Sequence, residues 1–254
     1  MKDIKSDAIA NDTFMKAPNG QPTKLNERQW LQVRTKAFKE WFGDWINDSE
    51  NASKVIDDDG ENATFEPLVV YHSSPNKFKK FRNTVHGQFF TDNENHSKSF
   101  GQNRYAVFLN IRNPYIIENR ELGASAVQYE FEDNKNIDGV LGYSIINYRT
   151  KEQVNEFVTR NSIQIKSATD NSGKFSTTND DIYDTITVQS LQTEASKEDI
   201  NVVPLPYIVE KSNINSRNSN YNGEYIIRVD KEAMQRFNEY IKDMRNAEKK
   251  DYIK

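Results

Sequence analysis

Val69-Val70-Tyr71-His72-Ser73-Ser74, followed after a short gap by Gly87-Gln88-Phe89-Phe90-Thr91, is the stretch from which the fold is read. Both phrases are short runs of β-branched and aromatic residues bounded by turn formers, which is the pattern of strands, here expected over 68–72 and 88–91. A third strand is expected over 105–111, where apolar residues alternate, and Asn113-Pro114 closes it. Between them Ser97-Lys98-Ser99 suggests the start of a short helix. Asp138-Gly139-Val140 reads as a turn into another strand, and 155–159 as one more. Strands interspersed with short, irregular helices favour an α+β sheet sandwich over a regular βαβ wind. No Gly-x-Gly occurs, so neither a Rossmann phosphate loop nor a P-loop is present.

N-terminal to these strands, residues 26–46 carry the strongest helical pattern of the chain. Trp30, Val33, Ala37, Phe38, Trp41 and Trp45 recur at helical spacing, with Asn26 as a cap and Gly43 near the end. All three tryptophans lie on this stripe, which reads as a helix docked on the core. Residues 1–24 are polar and aperiodic and read as an N-terminal arm. Asp57-Asp58-Asp59-Gly60 reads as a solvated acidic turn, because the other ligands of a calcium loop are missing. Beyond residue 185 the composition turns polar, so 186–254 is expected to be an accessory segment. Within it, Glu224–Val229 reads as a strand, and a helix over 231–248 presents Met234, Phe237, Ile241 and Met244 on one face.

Composition narrows the function classes. The chain of 254 residues is 35% hydrophobic with a mean hydropathy of -0.87, which fits one compact core with solvated ends better than two full cores. A net charge of -4 argues against a general electrostatic grip on nucleic acid. The absence of cysteine excludes disulfides and thiolate chemistry. No apolar run approaches membrane-spanning length, and the N-terminus lacks a signal-peptide core. A cytoplasmic protein without a membrane partner is the resulting expectation. Delivery into a host by a phage particle or secretion system would leave no mark in the chain.

Several phrases together resemble the ADP-ribosyltransferase-like domain carried by polyvalent proteins of phages and mobile elements. They are Phe38–Trp45 (FKEWFGDW), Ala52–Ile56 (ASKVI), Val69–His72 (VVYH), Phe89–Asp92 (FFTD), Leu109–Pro114 (LNIRNP) and Gln164–Asn171 (QIKSATDN). The resemblance covers roughly residues 26–183, places an ADP-ribosyltransferase-like domain over 25–185, and implies a split β-sheet sandwich with peripheral helices. The functional layout is similar to the His–Tyr–Glu branch of that fold, the branch of the poly(ADP-ribose) polymerase catalytic domain.

That similarity implies a set of roles on this chain. His72 would bond the nicotinamide-side ribose of NAD, Phe89 and Phe100 would stack on nicotinamide, and Ser97 would bond its amide. Ser73, Ser74 and Thr91 complete the implied cofactor-binding set. Glu156, in Asn155-Glu156-Phe157 with Gln164 eight residues on, takes the place of the catalytic carboxylate. NAD is then a substrate and no metal is called for. The chemistry is intelligible in general terms. Opening the glycosidic bond builds oxocarbenium character on the ribose, which a fixed carboxylate stabilises. Aromatic faces favour a flat cationic leaving group. The histidine would serve as a positioned donor.

Each residue also has a plainer reading. A lone histidine in an apolar strand is ordinarily a core residue. His86 and His96, in polar loops at no familiar ligand spacing, read as surface. Phe89 and Phe90 alternate across a strand, so one of them must face the core. Glu224 in Gly223-Glu224-Tyr225-Ile226-Ile227 is a rival for the carboxylate. Ser73 stands where the resembled pattern has glycine, and both stacking tyrosines are phenylalanine. The leading expectation is an ADP-ribosyltransferase acting on a macromolecular acceptor, protein in preference to nucleic acid. The alternatives are a degenerate module that binds NAD, ADP-ribose or a host protein, and an NAD glycohydrolase.

Overall fold

The computed structural model describes residues 1–58, 60–118, 122–146 and 152–185. The strand at 224–229, the helix at 231–248 and Glu224 therefore lie outside the described residues. By its internal contacts the chain divides into Met1–Asp184 and Thr185–Lys254, and every described residue except Thr185 belongs to the first unit.

Seven strands form a mixed sheet in the order β4-β5-β6-β2-β1-β3-β7. They are β1 (Val70–Ser74), β2 (Gln88–Thr91), β3 (Asn103–Leu109), β4 (Pro114–Glu118), β5 (Gly139–Ile146), β6 (Gln153–Thr159) and β7 (Ile165–Ser167). All pairs are antiparallel except β4 with β5. Pro114 begins the edge strand β4, where a missing N–H costs no ladder bond. The ladder is weakest in the middle. β1 and β2 share one paired position, Tyr71 with Thr91, whereas β1 pairs with β3 over five positions and β2 with β6 over four. The hydrogen-bonded order is thus continuous but almost divided into a three-stranded and a four-stranded half.

Register assigns the two faces. One presents Val70, Phe90, Val107, Leu141 and Phe157, all in one buried cluster with Phe81, Tyr105 and Ile165. On the opposite face the helices pack at two separate places. Phe108 on β3 meets α2 (Glu27–Gln32) and α3 (Lys36–Phe42) through a cluster that includes Trp30, Phe38, Trp41 and Phe175. Phe38 lies 5.2 Å from Phe108 and 4.9 Å from Phe175, centroid to centroid, both edge-on. At the other end α5 (Ala124–Asp133) buries Val127 and Phe131 on Val140 and Val158. Between these two packings runs a lateral row of Tyr71, Thr91 and Glu156.

Three expectations need correction. The helix predicted over 26–46 is two helices, because Thr35 interrupts it. Its hydroxyl donates to the Gln32 carbonyl and accepts from the Phe38 N–H, so it ends one helix and caps the next. The kink lets the tryptophans bond to different partners, Trp30 to Lys16, Trp41 to Ile163 and Trp45 to Val33. Residues 1–24 are not a loose arm. α1 (Lys2–Ala10) buries Ala8, and Ile4, Phe14 and Met15 pack on the tryptophan cluster. Asp57 is buried, unlike the solvated turn expected around it, and its carboxylate accepts from the Thr64 N–H and hydroxyl and from Lys24. Burial would raise its pKa, but those bonds outweigh it and hold the carboxyl below its ordinary value.

Among the described residues no helix is long and apolar enough to cross a membrane.

Candidate active site at the split in the sheet

Where β1 and β2 part beyond Tyr71 and Thr91, a cleft of about 420 Å³ opens. That volume lies in the range of small-molecule sites, roughly 300–1,000 Å³. Because the cleft straddles the split, it draws on both faces of the sheet. His72 and Phe90 come from one, while Tyr71, Ser73, Phe89, Thr91 and Glu156 come from the other. α4 (Glu94–Ser97) and the following 3-10 turn supply His96, Ser97 and Phe100, and Leu122 completes the wall. The structure therefore gathers His72, Ser73, Phe89, Thr91, Ser97, Phe100 and Glu156 around one cavity. Ser74 does not line it. Its hydroxyl accepts from the Asn76 N–H and its carbonyl from Asn103, which turns the chain out of β1.

His72 spans the split. Its Nδ1 lies 2.8 Å from the Phe89 carbonyl oxygen, which can only accept, so the ring proton sits on Nδ1. Burial lowers its pKa below the ordinary value, against a smaller opposing pull from that bond. The imidazole is therefore neutral at pH 7 and presents a lone pair on Nε2, which has no hydrogen-bond partner among the described residues. In place of the donor expected of His72, this tautomer offers an acceptor. Phe81 at 5.1 Å and Phe90 at 5.6 Å, with Phe78 and Tyr105 at 6.3 Å, hold the ring.

The Phe89–Phe90 ambiguity resolves through register. Phe90 is 2% exposed in the core, while Phe89 is half-buried on the face that carries Glu156. Gly87, with φ of 68°, starts β2 against β6, and a Cβ there would meet the Thr159 carbonyl oxygen at 2.3 Å. Phe100 is 46% exposed at the mouth, edge-on to His96 at 5.5 Å. Gly101 after it packs so closely on the end of β1 that a Cβ would meet Ser74 backbone at 2.2 Å.

Ser73 lines the cleft with its hydroxyl bonded to α4. It is buried, and its hydroxyl donates to Ser97 Oγ at 3.3 Å, while the Ser97 hydroxyl donates to the Glu94 carbonyl at 2.8 Å. Ser97 keeps one acceptor lone pair, suited to an amide N–H. His96 is a second correction, since it is 3% exposed rather than on the surface, with Nδ1 3.1 Å from the Glu152 carboxylate. His86 is half-buried. Among the described residues no three His, Asp or Glu side chains converge as a metal site.

Glu156 pairs with Thr91 on one side and Gly142 on the other. Just past Gly142 the ladder shifts register, and Ser144 takes φ of 56°. Asn155 holds this bulge. Its side-chain oxygen accepts from the Ser144 N–H at 2.9 Å, and its amide donates to Asp92 at 2.8 Å. Burial raises the Asp92 carboxyl above its ordinary pKa against the lowering effect of the Asn155 bonds. Sequence reading missed this support because Asp92 and Ser144 carry no local pattern. Gln164, used to place Glu156, is itself structural: it is 6% exposed and donates to the Asn110 and Asp138 carbonyls.

Comparison with known protein families adds the deciding observation. Residues 57–175 match the family described as ADP-ribosyltransferase in polyvalent proteins. Residues 57–175 form an ADP-ribosyltransferase-like domain. The matched stretch contains every cleft residue named above and is narrower than the resemblance over 26–183, leaving the tryptophan helices outside it. The mixed seven-stranded sheet with peripheral helices is an α+β architecture of the ADP-ribosyltransferase type. No curated protein matches the chain.

Proposed function

We propose that the domain cleaves the nicotinamide–ribose bond of NAD and transfers ADP-ribose to a macromolecular acceptor, a protein side chain in preference to nucleic acid. The observation that carries this reading is the convergence of Glu156, His72, Ser97 and two aromatic faces on one cleft inside an ADP-ribosyltransferase-like domain. Phe89 and Phe100 take the nicotinamide ring between them, and the free lone pair of Ser97 accepts from its amide N–H. His72 Nε2 accepts from a ribose hydroxyl. As the glycosidic bond breaks, its electron pair leaves with nicotinamide and C1 of the ribose becomes cationic in character. The Glu156 carboxylate, fixed in a strand, stabilises that charge without reorganising. The acceptor nucleophile then bonds to C1 and loses its proton. Burial of His72 keeps it neutral, so it adds no positive charge beside the developing cation.

A second reading, a module that binds NAD or ADP-ribose without turnover, is favoured by the departures at Ser73, Phe89 and Phe100, which keep the cleft and its ring faces but carry no stacking hydroxyl. The two readings separate when the full chain is incubated with NAD labelled on its adenylate and with a host lysate. Free nicotinamide together with labelled protein supports transfer. Nicotinamide released without labelled macromolecules identifies a glycohydrolase, and tight NAD binding with no release identifies the binding module.

A further inference from the structure

We infer that Tyr71 is a further substrate-binding residue of this cleft, its phenolic hydroxyl bonding the nicotinamide-side ribose from the side opposite Glu156. The inference rests on the NAD reading above. Three observations on the molecule lead to it. Tyr71 lines the cleft and is half-buried, yet its hydroxyl has no hydrogen-bond partner among the described residues. It belongs to the same lateral row as the carboxylate, since Tyr71 pairs with Thr91 and Thr91 pairs with Glu156. The row ends in the small residues Ala106 and Gly142, with Ile145 and Leu122 packed over the glycine as the wall at that end.

Strand spacing sets the scale. Neighbouring strands lie about 4.8 Å apart, so the Tyr71 and Glu156 backbones are roughly 10 Å apart across β2. Two polar side chains that line one cleft from strands at that separation can bracket a sugar ring above Thr91. Tyr71 also supplies a chemistry that the walls lack, because Phe89 and Phe100 offer ring faces and no hydroxyl. Burial, and secondarily the Glu94 charge, raise the phenol above its ordinary pKa, so it stays protonated and able to donate.

The test compares two ligands on the full chain, wild type and Tyr71→Phe, by titration calorimetry. NAD carries the ribose, and free nicotinamide fills only the aromatic part of the cleft. Loss of one neutral hydrogen bond is expected to weaken NAD binding about fivefold. Nicotinamide affinity should stay unchanged, and with it the integrity of the aromatic walls. An unchanged NAD affinity in Tyr71→Phe, with wild type binding NAD, overturns the role of Tyr71 alone. Equal losses for both ligands assign Tyr71 to packing and overturn it too. Failure of the wild-type chain to bind NAD overturns the reading of the site and this inference together.

Discussion

At the scale of single residues, the cleft is made by side chains whose bonding is already half used within the fold. His72 spends Nδ1 on the Phe89 carbonyl, Ser97 spends its proton on the Glu94 carbonyl, and Ser73 spends its own on Ser97. What each has left determines what it can offer a ligand, and in every case that is a lone pair. The state of His72 can be measured. Its folded pKa lies below the unfolded value near 6.5, so in the window just below pH 6.5 the unfolded chain binds more protons. The stability it contributes is present above that window and is lost as pH falls through it. Titration of the His72 ring by NMR should show a midpoint below 6.5, with the proton on Nδ1 in the neutral form. A midpoint at or above 6.5, or a proton on Nε2, would remove the acceptor role. Register shows why the sequence left such details open. Phe89 and Phe90 are equivalent as letters, and only pairing with Val158 and Phe157 puts one on the face of Glu156 and the other in the core beneath His72.

At the scale of elements, several of the phrases that stood out in the sequence are clamps of the fold rather than site residues. In Ala52–Ile56, the Ser53 hydroxyl donates to the Leu109 carbonyl and accepts from the Ile111 N–H. In Leu109–Pro114, Arg112 reaches the Trp41 carbonyl. In Gln164–Asn171, Lys166 is fully buried and donates to Asp184 at 2.7 Å, and Asn171 donates to the same carboxylate. Strands were legible because their apolar runs are local. β4 and α5 were not foreseen, since β4 begins at a proline and the buried face of α5 is only Val127 and Phe131. The single helix expected over 26–46 failed because a stripe of tryptophans looks alike whether or not Thr35 breaks the backbone. Two mutations probe these supports. In chemical denaturation, Asn155→Ala should lower stability by about 1–3 kcal/mol, since it leaves the Ser144 N–H and the Asp92 carboxylate without that partner. The same change should depress any activity of Glu156 next to it; unchanged stability would show that the bulge holds itself. Lys166→Met leaves the buried Asp184 carboxylate without its cation and should cost about 3–5 kcal/mol, read as a lower denaturation midpoint. A neutral effect would mean that Asn171 and the Ser176 N–H suffice for that carboxylate.

At the scale of the whole molecule, the almost divided sheet is what turns a strand sequence into a site. Tryptophan-bearing helices cover one end of the face that carries Glu156, α5 covers the other, and the row between them is left to the cleft. On the proposed function, Glu156 performs the chemical step there. A carboxylate facing developing oxocarbenium charge acts mainly in the transition state, so its removal should lower turnover more than affinity. The decisive measurement is the rate of nicotinamide release from NAD by the full chain, with NAD affinity measured alongside, for wild type, Glu156→Gln and Glu224→Gln. The expected result is a fall of roughly a hundredfold or more for Glu156→Gln with little change in NAD affinity, and a near-wild-type rate for Glu224→Gln. The opposite pattern, with Glu156→Gln active and Glu224→Gln dead, would contradict the assignment of the chemical step to Glu156.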